Sequence, residues 1–242
     1  MHVLILGANS DIGLALAHRF AGSAGTDIYL ASRDRDEMEK NEVDLSVRYR
    51  VAVKSYYFDA TDYGSHAAFY SQLDPKPDVV VLAFGYLGEQ AKGQEDFDEA
   101  KRILDTNLTG AMSILELVAA DFGARKSGTI IVLSSVAGER GRKTNYLYGA
   151  AKGGLTTYAS GLRNRLFAAG VRVLTVLPGF VRTKMTRGMP LPQALTANPD
   201  QAAAEIFRAY RRRDVIYTKK IWRLVMFVIR CIPEWLFKRM NL

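Results

Sequence analysis

Short apolar runs alternate along the chain with longer segments in which apolar residues recur every three or four positions. The short runs are nearly continuous and rich in β-branched residues, which is typical of parallel strands buried on both faces. They predict strands at residues 3–6, 27–31, 54–58, 79–83, 129–133, 172–177 and 215–217. The longer segments predict helices at residues 12–24, 35–48, 63–73, 97–122, 148–169 and 202–213. This alternation predicts an α/β fold with a doubly wound parallel sheet and right-handed crossovers.

The chain of 242 residues suits one large domain, because no repeat or flexible linker divides it. We expect residues 1–218 to form this domain and residues 219–242 to form a separate amphipathic helical tail, with a proline-rich loop at 184–199. Cys231 is the one cysteine, so the sequence excludes an internal disulfide and a cysteine-based metal site. The first apolar run is too short for a signal peptide, and we expect no membrane-spanning segment.

The net charge of +8 is concentrated in the tail, because residues 219–242 contain six basic residues and one acidic residue. Residues 221–230 are apolar on most faces, and Trp222 and Trp235 flank the basic positions. Such a segment is typical of a helix lying at an anionic membrane surface. The alternative is a helix packed on its own fold or on a partner subunit. A nucleic-acid partner is not expected, because the basic residues follow an apolar helix and not a polar groove.

A turn with two glycines follows the first predicted strand, in the segment GANSDIG at residues 7–13. Gly7 permits close approach of a pyrophosphate to the backbone, and Gly13 permits tight packing of the next helix. The N–H groups at the start of that helix favour phosphate. Asp11 replaces the middle glycine of the usual motif and could cap the helix, as in an ordinary strand-to-helix turn. The candidate phosphate-binding residues are Gly7, Asn9, Ser10, Asp11, Ile12 and Gly13.

The second predicted strand ends in Ser32 and Arg33, where NAD-specific sites usually carry an acidic residue. A guanidinium at this position fits a 2′-phosphate, so we predict a preference for NADPH, with NADH as the alternative cofactor. Arg33 could instead be a solvated arginine paired with Asp34 or Asp36. Two further strand-end features complete the expected cofactor site: Asp59 for the adenine amino group, and Ala83, Phe84 and Gly85 for close passage of the backbone.

Tyr148 and Lys152 are four residues apart on a predicted helix and therefore project from the same face. A phenol has an unperturbed pKa near 10, and we expect the neighbouring ammonium to lower the pKa of Tyr148. Ser135 ends the fifth strand at its carboxyl edge, where its hydroxyl could bind a reacting oxygen. A tyrosine and a lysine often occur at this spacing by chance, but their order relative to the serine and the glycine turn points to acid–base catalysis at a carbonyl.

The segments GANSDIG, AFG, NLTG, LSSVAG, YGAAK and PGFVRT occur in this order, and through them the chain resembles the short-chain dehydrogenase/reductase family over nearly all its length. The resemblance implies a Rossmann-type sheet, Tyr148 as the general acid/base, Lys152 as a ligand of the nicotinamide ribose and Ser135 as the residue that polarises the carbonyl. It implies that Asn107 holds a helix kink and a relay water. It further implies nicotinamide contacts from Pro178, Gly179, Val181 and Thr183. Departures from the family pattern occur at Asp11, Ala83 and Phe84.

A narrower resemblance concerns residues 83–88, 134–142, 181–185 and 225–236, and it is to reductases of polyprenyl-phosphate-linked keto-sugars. It implies a lipid-linked substrate, a flavin oxidase partner and a cytoplasmic enzyme held at the inner face of the membrane. Three basic residues after the catalytic serine could meet a substrate phosphate, or could belong to a solvated loop: Arg140, Arg142 and Lys143.

Two other functions stay open at this stage. One is reduction of a soluble ketone such as a steroid, acyl or small-sugar carbonyl. The other is a dinucleotide-binding regulator without catalysis, which the presence of Ser135, Tyr148 and Lys152 opposes. We also expect a homo-oligomer, as for many reductases that this chain resembles.

Overall fold

The core of the molecule is a parallel sheet of seven strands in the order β3-β2-β1-β4-β5-β6-β9, in a computed structural model that describes residues 1–240. The strands of the main sheet are β1 His2–Leu6, β2 Asp27–Ser32, β3 Val53–Tyr57, β4 Val79–Leu82, β5 Thr129–Leu133, β6 Arg172–Pro178 and β9 Val215–Thr218. Two short strands pair separately, β7 Phe180–Val181 and β8 Thr196–Ala197. The doubly wound parallel sheet expected from the sequence is confirmed.

Helices cover both faces of the sheet because successive strand residues point to opposite sides. The helices are α1 Asp11–Ala21, α2 Arg35–Tyr49, α3 His66–Ser71, α4 Gln90–Glu95, α5 Phe97–Leu104, α6 Gly110–Arg125, α7 Tyr146–Phe167, α8 Pro199–Ala209, α9 Ile221–Cys231 and α10 Glu234–Phe237. In β1, Leu4 and Leu6 join the core formed with α3, α6 and α7. Val3 and Ile5 face the opposite core, formed with α1, α2 and α8.

The helix predicted at 97–122 is longer than expected, and a π-helical turn at Asp105–Thr109 joins α5 to α6. The combined helix Phe97–Arg125 has a mean hydropathy of 1.3, enough by length and composition to cross a membrane, which the sequence analysis did not anticipate. Its residues Ile114, Leu115 and Val118 are fully buried against the sheet. The helix is therefore part of the protein core.

The tail packs on the fold through one side of α9. Trp222 and Met226 are buried there against Val136 and Leu177. The Trp222 indole N–H donates a hydrogen bond of 2.9 Å to the Leu195 carbonyl. Residues 241–242, the end of the predicted tail, lie outside the described residues.

Candidate active site

A cavity of about 840 Å³ opens at the carboxyl ends of β1, β4, β5 and β6, where open parallel sheets bind their ligands. Of the catalytic and cofactor-binding residues predicted from the sequence, Gly13 and Asn107 are absent from its lining. The others line it together: Gly7, Asn9, Ser10, Asp11, Ile12, Ser32, Arg33, Asp59, Ala83, Phe84, Gly85, Ser135, Tyr148, Lys152, Pro178, Gly179, Val181 and Thr183. The fold thus gathers residues from across the chain into one cleft.

Gly7 turns the chain from β1 into the cavity with a φ of +87°. A Cβ atom at this position would lie 2.4 Å from the backbone nitrogen of Phe84, so only glycine lets the two strand ends approach this closely. Gly13 lies behind the cavity wall, where a Cβ would meet the Gly7 carbonyl oxygen at 2.7 Å. The two glycines therefore shape the turn that presents the start of α1.

Ser10, and not Asp11, caps α1, and its hydroxyl accepts a hydrogen bond of 3.1 Å from the Gly13 N–H. The Asp11 carboxylate instead accepts a 2.7 Å hydrogen bond from the Lys184 backbone N–H. The Lys184 ammonium also pairs with Glu37 of α2. The alternative of an Asp11 cap is therefore wrong, because its carboxylate ties the segment after β6 across the cavity.

Arg33 is exposed and lines the cavity beside Ser32. Among the described residues it forms no ion pair, and the pairing with Asp34 that the sequence left open does not occur. The Asp34 carboxylate instead caps α2 by accepting the Glu37 N–H at 3.0 Å. The Asn9 side-chain amide donates to the Asp34 carbonyl at 2.9 Å and so fixes this loop against the glycine turn. The guanidinium of Arg33 is thus available to an anion in the cavity.

The two serines at the end of β5 have different surroundings. The Ser134 hydroxyl is buried, lies 2.7 Å from the Thr156 hydroxyl and donates to the Lys152 carbonyl at 2.9 Å. The Ser135 hydroxyl lines the cavity and accepts a hydrogen bond of 3.1 Å from the Ala137 N–H, which leaves its own hydrogen free to donate. Ser135 is therefore the serine available to a substrate.

Burial raises the pKa of Tyr148 to about 12, and the hydrogen bond with Ser135 only partly opposes this shift. The sequence analysis expected Lys152 to lower this pKa. In the structure the Lys152 ammonium lies 5.8 Å from the centre of the Tyr148 ring and donates a 3.0 Å hydrogen bond to the Leu133 carbonyl. Burial also lowers the pKa of Lys152 to about 8. The expected direction was wrong because desolvation of the buried phenol is the largest influence on its pKa.

Asn107 is fully buried in the π-helical turn. Its amide N–H groups donate to the carbonyls of Tyr86 at 2.6 Å and Ile103 at 2.8 Å, and its oxygen accepts the Tyr86 N–H at 3.1 Å. These bonds anchor the loop after β4 to the irregular turn in the long helix. Asn107 thus shapes the cavity wall from behind.

Arg140 lies outside the cavity lining, so it fits neither of the two roles that the sequence left open, a contact with a substrate phosphate or a place in a solvated loop. Its guanidinium donates to the carbonyls of Ile229, Arg230 and Ile232, pairs with Glu234 at 2.9 Å, and stacks on a tail phenylalanine ring. These contacts use the cation to cap the end of α9. Its role is therefore structural.

Arg142 does line the cavity, near Tyr148. Its Nε atom is buried without a hydrogen-bond partner, whereas its Nη2 atom donates to the Met226 sulfur at 3.4 Å. Burial lowers the pKa of Arg142, and nearby Glu139 only partly compensates. The Asn145 side-chain oxygen, also in the lining, is buried and unpartnered. One buried donor of Arg142 and one buried acceptor of Asn145 are therefore left without partners in residues that line the cavity.

Several lining residues were not identified from the sequence as individual site residues. They are Thr106, Asn145, Met185, Thr186 and Met189. Their only sequence signal is that they lie close to the motifs along the chain. Four of them belong to loops 140–145 and 184–199, and the position of these loops at the cavity depends on contacts between residues far apart in the sequence.

The lining fits a dinucleotide. The glycine turn and the start of α1 form a cradle for phosphate. The buried Lys152 ammonium has three hydrogens and one described acceptor, so two remain for ribose hydroxyls. Gly85 leaves space next to this ammonium, since a Cβ there would lie 3.6 Å from it.

Comparisons with known proteins agree with this geometry. The family model described as short chain dehydrogenase matches residues 1–193. An uncharacterised oxidoreductase of Mycobacterium tuberculosis is 37% identical over 242 residues, covering 98% of this chain and 96% of its own. Another, from Streptomyces coelicolor, is 37% identical with coverage of 98% and 95%. A short-chain dehydrogenase from Sphingobium yanoikuyae in complex with NADPH has the same fold, with a TM-score of 0.82, 24% identity and 96% coverage of each chain. The chain belongs to the short-chain dehydrogenase family, whose members are NAD(P)-dependent oxidoreductases.

Proposed function

We propose that this protein reduces a ketone to a secondary alcohol with NADPH. The observation that carries the proposal is that Ser135, Tyr148 and Lys152 line the same cavity as the glycine turn and Arg33. When bound, the reduced nicotinamide supplies a hydride to the carbonyl carbon. The proton donor Tyr148 and the oxygen-binding hydroxyl of Ser135 then act on the same carbonyl group as the cofactor held by the glycine turn.

Tyr148 donates the proton to the carbonyl oxygen. With a pKa of about 12 the phenol is protonated throughout the neutral range, as a general acid must be. The Ser135 hydroxyl donates a hydrogen bond to the same oxygen and holds it next to the phenol. Lys152, whose pKa is about 8, binds the ribose and stabilises the tyrosinate that proton transfer leaves behind until solvent reprotonates it.

The cofactor preference follows from Arg33, because a guanidinium at the end of β2 binds a 2′-phosphate. We expect Arg33→Ala to lower kcat/KM for NADPH by about 10- to 100-fold, the effect of losing a charge-assisted hydrogen bond. The value for NADH should change little. Steady-state kinetics with both cofactors measure this, with Arg35→Ala as the control because Arg35 stacks on Tyr57. Equal loss with NADH, or a wild-type enzyme that prefers NADH, contradicts the assignment.

For the substrate we propose a lipid-linked keto-sugar carrying a phosphate, as for decaprenylphosphoryl-2-keto-ribose reductase, which this chain resembles in four segments. Arg142 supports this choice, because its buried Nε–H has no hydrogen-bond partner, it forms no ion pair among the described residues, and a ligand anion in the cavity would supply both. Apolar side chains in the cavity lining, including Phe180, Met185 and Met189, suit the first part of a lipid chain. Such an enzyme would be cytoplasmic, peripheral at the inner face of the membrane, homo-oligomeric, and supplied with ketone by a flavin oxidase.

The direct test is to add a polyprenyl-phosphate keto-pentose to the protein with NADPH and to follow the cofactor absorbance. Turnover of this substrate above that of water-soluble ketones supports the proposal. Equal or better turnover of soluble ketones without lipid favours the soluble-ketone function instead.

The role of Arg142 has its own test. We expect Arg142→Gln to raise KM for the phosphate-bearing ketone by about tenfold or more while leaving kcat/KM for a neutral ketone unchanged. Lys143→Gln is the matched control, because Lys143 is the exposed basic neighbour and is absent from the lining. If Arg142→Gln affects neutral and anionic ketones equally, the arginine has a structural role only.

A further inference from the structure

A second cavity, of about 1260 Å³, lies on the outer surface between the end of α8, β9 and α9. Its basic lining consists of Arg208, Arg212, Arg213, Lys220, Arg223 and Arg230, and we call it the basic groove. Glu205 is its one acidic lining residue, and that carboxylate accepts the Lys219 backbone N–H at 2.9 Å. Arg230 reaches Glu139 at 3.4 Å. The groove thus carries a large uncompensated positive charge.

The outward side of α9 and α10 exposes apolar side chains next to this groove. The exposed fractions are 59% for Leu224, 66% for Phe227, 54% for Val228 and 60% for Trp235. Ile221 and Leu236 extend the same surface, which we call the apolar ridge. Soluble monomers seldom expose so many large apolar side chains together, so such a patch marks an interaction surface.

The ridge and the groove form one face, because Leu224 and Phe227 of the ridge also line the groove. Apolar residues that can insert into a bilayer therefore lie beside cations that can bind lipid phosphates. A second copy of the chain fits this face poorly, since a twofold contact would bring two basic grooves together. We propose that the apolar ridge and the basic groove dock the protein onto an anionic lipid bilayer.

The docking face lies on the outer side of α9, and the inner side of α9 contacts residues that line the active-site cavity. Met226 contacts Arg142 at 3.4 Å, and Trp222 packs against the position of Gly179. A docked bilayer would therefore be separated from this part of the cavity lining by the thickness of α9. A lipid-linked ketone would reach them without leaving the membrane surface, a consequence that rests on the proposed function, whereas docking itself does not.

The test measures binding of the full chain to sedimenting vesicles, without substrate. Vesicles of phosphatidylcholine alone are compared with vesicles that also contain phosphatidylglycerol, at low and high salt. We expect binding to require the anionic lipid and to weaken with salt. Replacing three cations, as Arg212→Gln, Arg213→Gln and Arg223→Gln, should weaken binding by about 10- to 100-fold. The ridge variant Leu224→Ser, Phe227→Ser should lose binding at either salt concentration.

The controls are Phe167→Ser, which removes an 80% exposed phenylalanine at the end of α7, and Arg19→Gln, which removes an exposed cation of α1. Neither should change binding. Binding to neutral vesicles equal to that to anionic ones, or a ridge variant that binds like the wild type, overturns the proposal. The proposal is also overturned if light scattering shows that the wild type is a dimer and the ridge variant a monomer, while neither protein binds vesicles.

Turnover separates this proposal from the function proposed above. If the wild type binds anionic vesicles but reduces no ketone, the proposed reaction fails and docking stands. If it reduces a water-soluble ketone but sediments with no vesicle, docking fails and the reaction stands. The ridge variant should keep the wild-type rate on the soluble ketone, because the ridge is exposed and away from the cavity lining.

Discussion

Replacement of Tyr148 by phenylalanine should reduce kcat/KM for the ketone by about 10²- to 10⁴-fold, the usual contribution of a positioned proton donor. The Tyr148 phenol lines the cavity together with Ser135, and burial raises its pKa, so it holds its proton at neutral pH. Phenylalanine keeps the aromatic ring and removes the hydroxyl that donates the proton. The measurement is the initial rate of NADPH oxidation at saturating cofactor.

Two controls make this result specific. Tyr146→Phe removes an exposed phenol from the same helix and should leave the rate unchanged. NADPH binding to Tyr148→Phe, measured by fluorescence, should persist, because the phosphate cradle and Lys152 are retained. A Tyr148→Phe protein that turns over ketone at the wild-type rate would falsify the mechanism.

Alanine in place of Gly7 should lower the free energy of unfolding by about 2–6 kcal/mol. Two costs combine: a non-glycine residue held at a positive φ costs about 1–3 kcal/mol, and overpacking costs about 1–3 kcal/mol. The new Cβ would lie 2.4 Å from the Phe84 nitrogen and 2.8 Å from the Ala83 carbonyl carbon, which are backbone atoms with little freedom to move. Thermal unfolding should show a fall in Tm on the order of 10 °C.

Gly25→Ala separates the two costs. Gly25 also has a positive φ, of +68°, but a Cβ there meets no atom within 4 Å. Only the backbone strain applies, so the expected loss is about 1–2 kcal/mol. If both variants lose the same stability, the close approach of Phe84 to Gly7 has no energetic importance.

The sheet was predictable because its strands are encoded locally. Each buried strand is an apolar run, such as Thr129–Leu133, whose observed bounds match the prediction. The helix α4 was missed because Gln90–Glu95 has few apolar residues and its stability depends on packing against α5 and α7. The irregular turn at Asn107 was expected, as a helix kink, only through the family resemblance. The apolar pattern could not show it, since the turn is accompanied by hydrogen bonds between Asn107 and Tyr86, which are 21 residues apart.

The sequence predicted most of the residues that line the candidate site, but it predicted their pKa shifts and ion pairs less well. Motif order indicates which residues come from the strand ends, and most of them line one cavity. The sequence cannot say how deeply a phenol is buried, so the direction of the Tyr148 pKa shift was missed. Nor could it separate Arg140 from Arg142, because the atoms that distinguish them belong to α9, some 80 to 90 residues later.

The contact between Gly179 and Trp222 has an evolutionary consequence. The family match ends at residue 193, yet the indole of Trp222 occupies the space that any side chain at position 179 would need, with a Cβ only 2.0 Å away. A tail grafted from a relative that lacks this tryptophan would leave a hole beside the loop that carries Gly179. A residue larger than glycine at position 179 would displace the indole. Residues 179 and 222 should therefore covary among relatives, so that substitutions in α9 are constrained by the loop that follows β6.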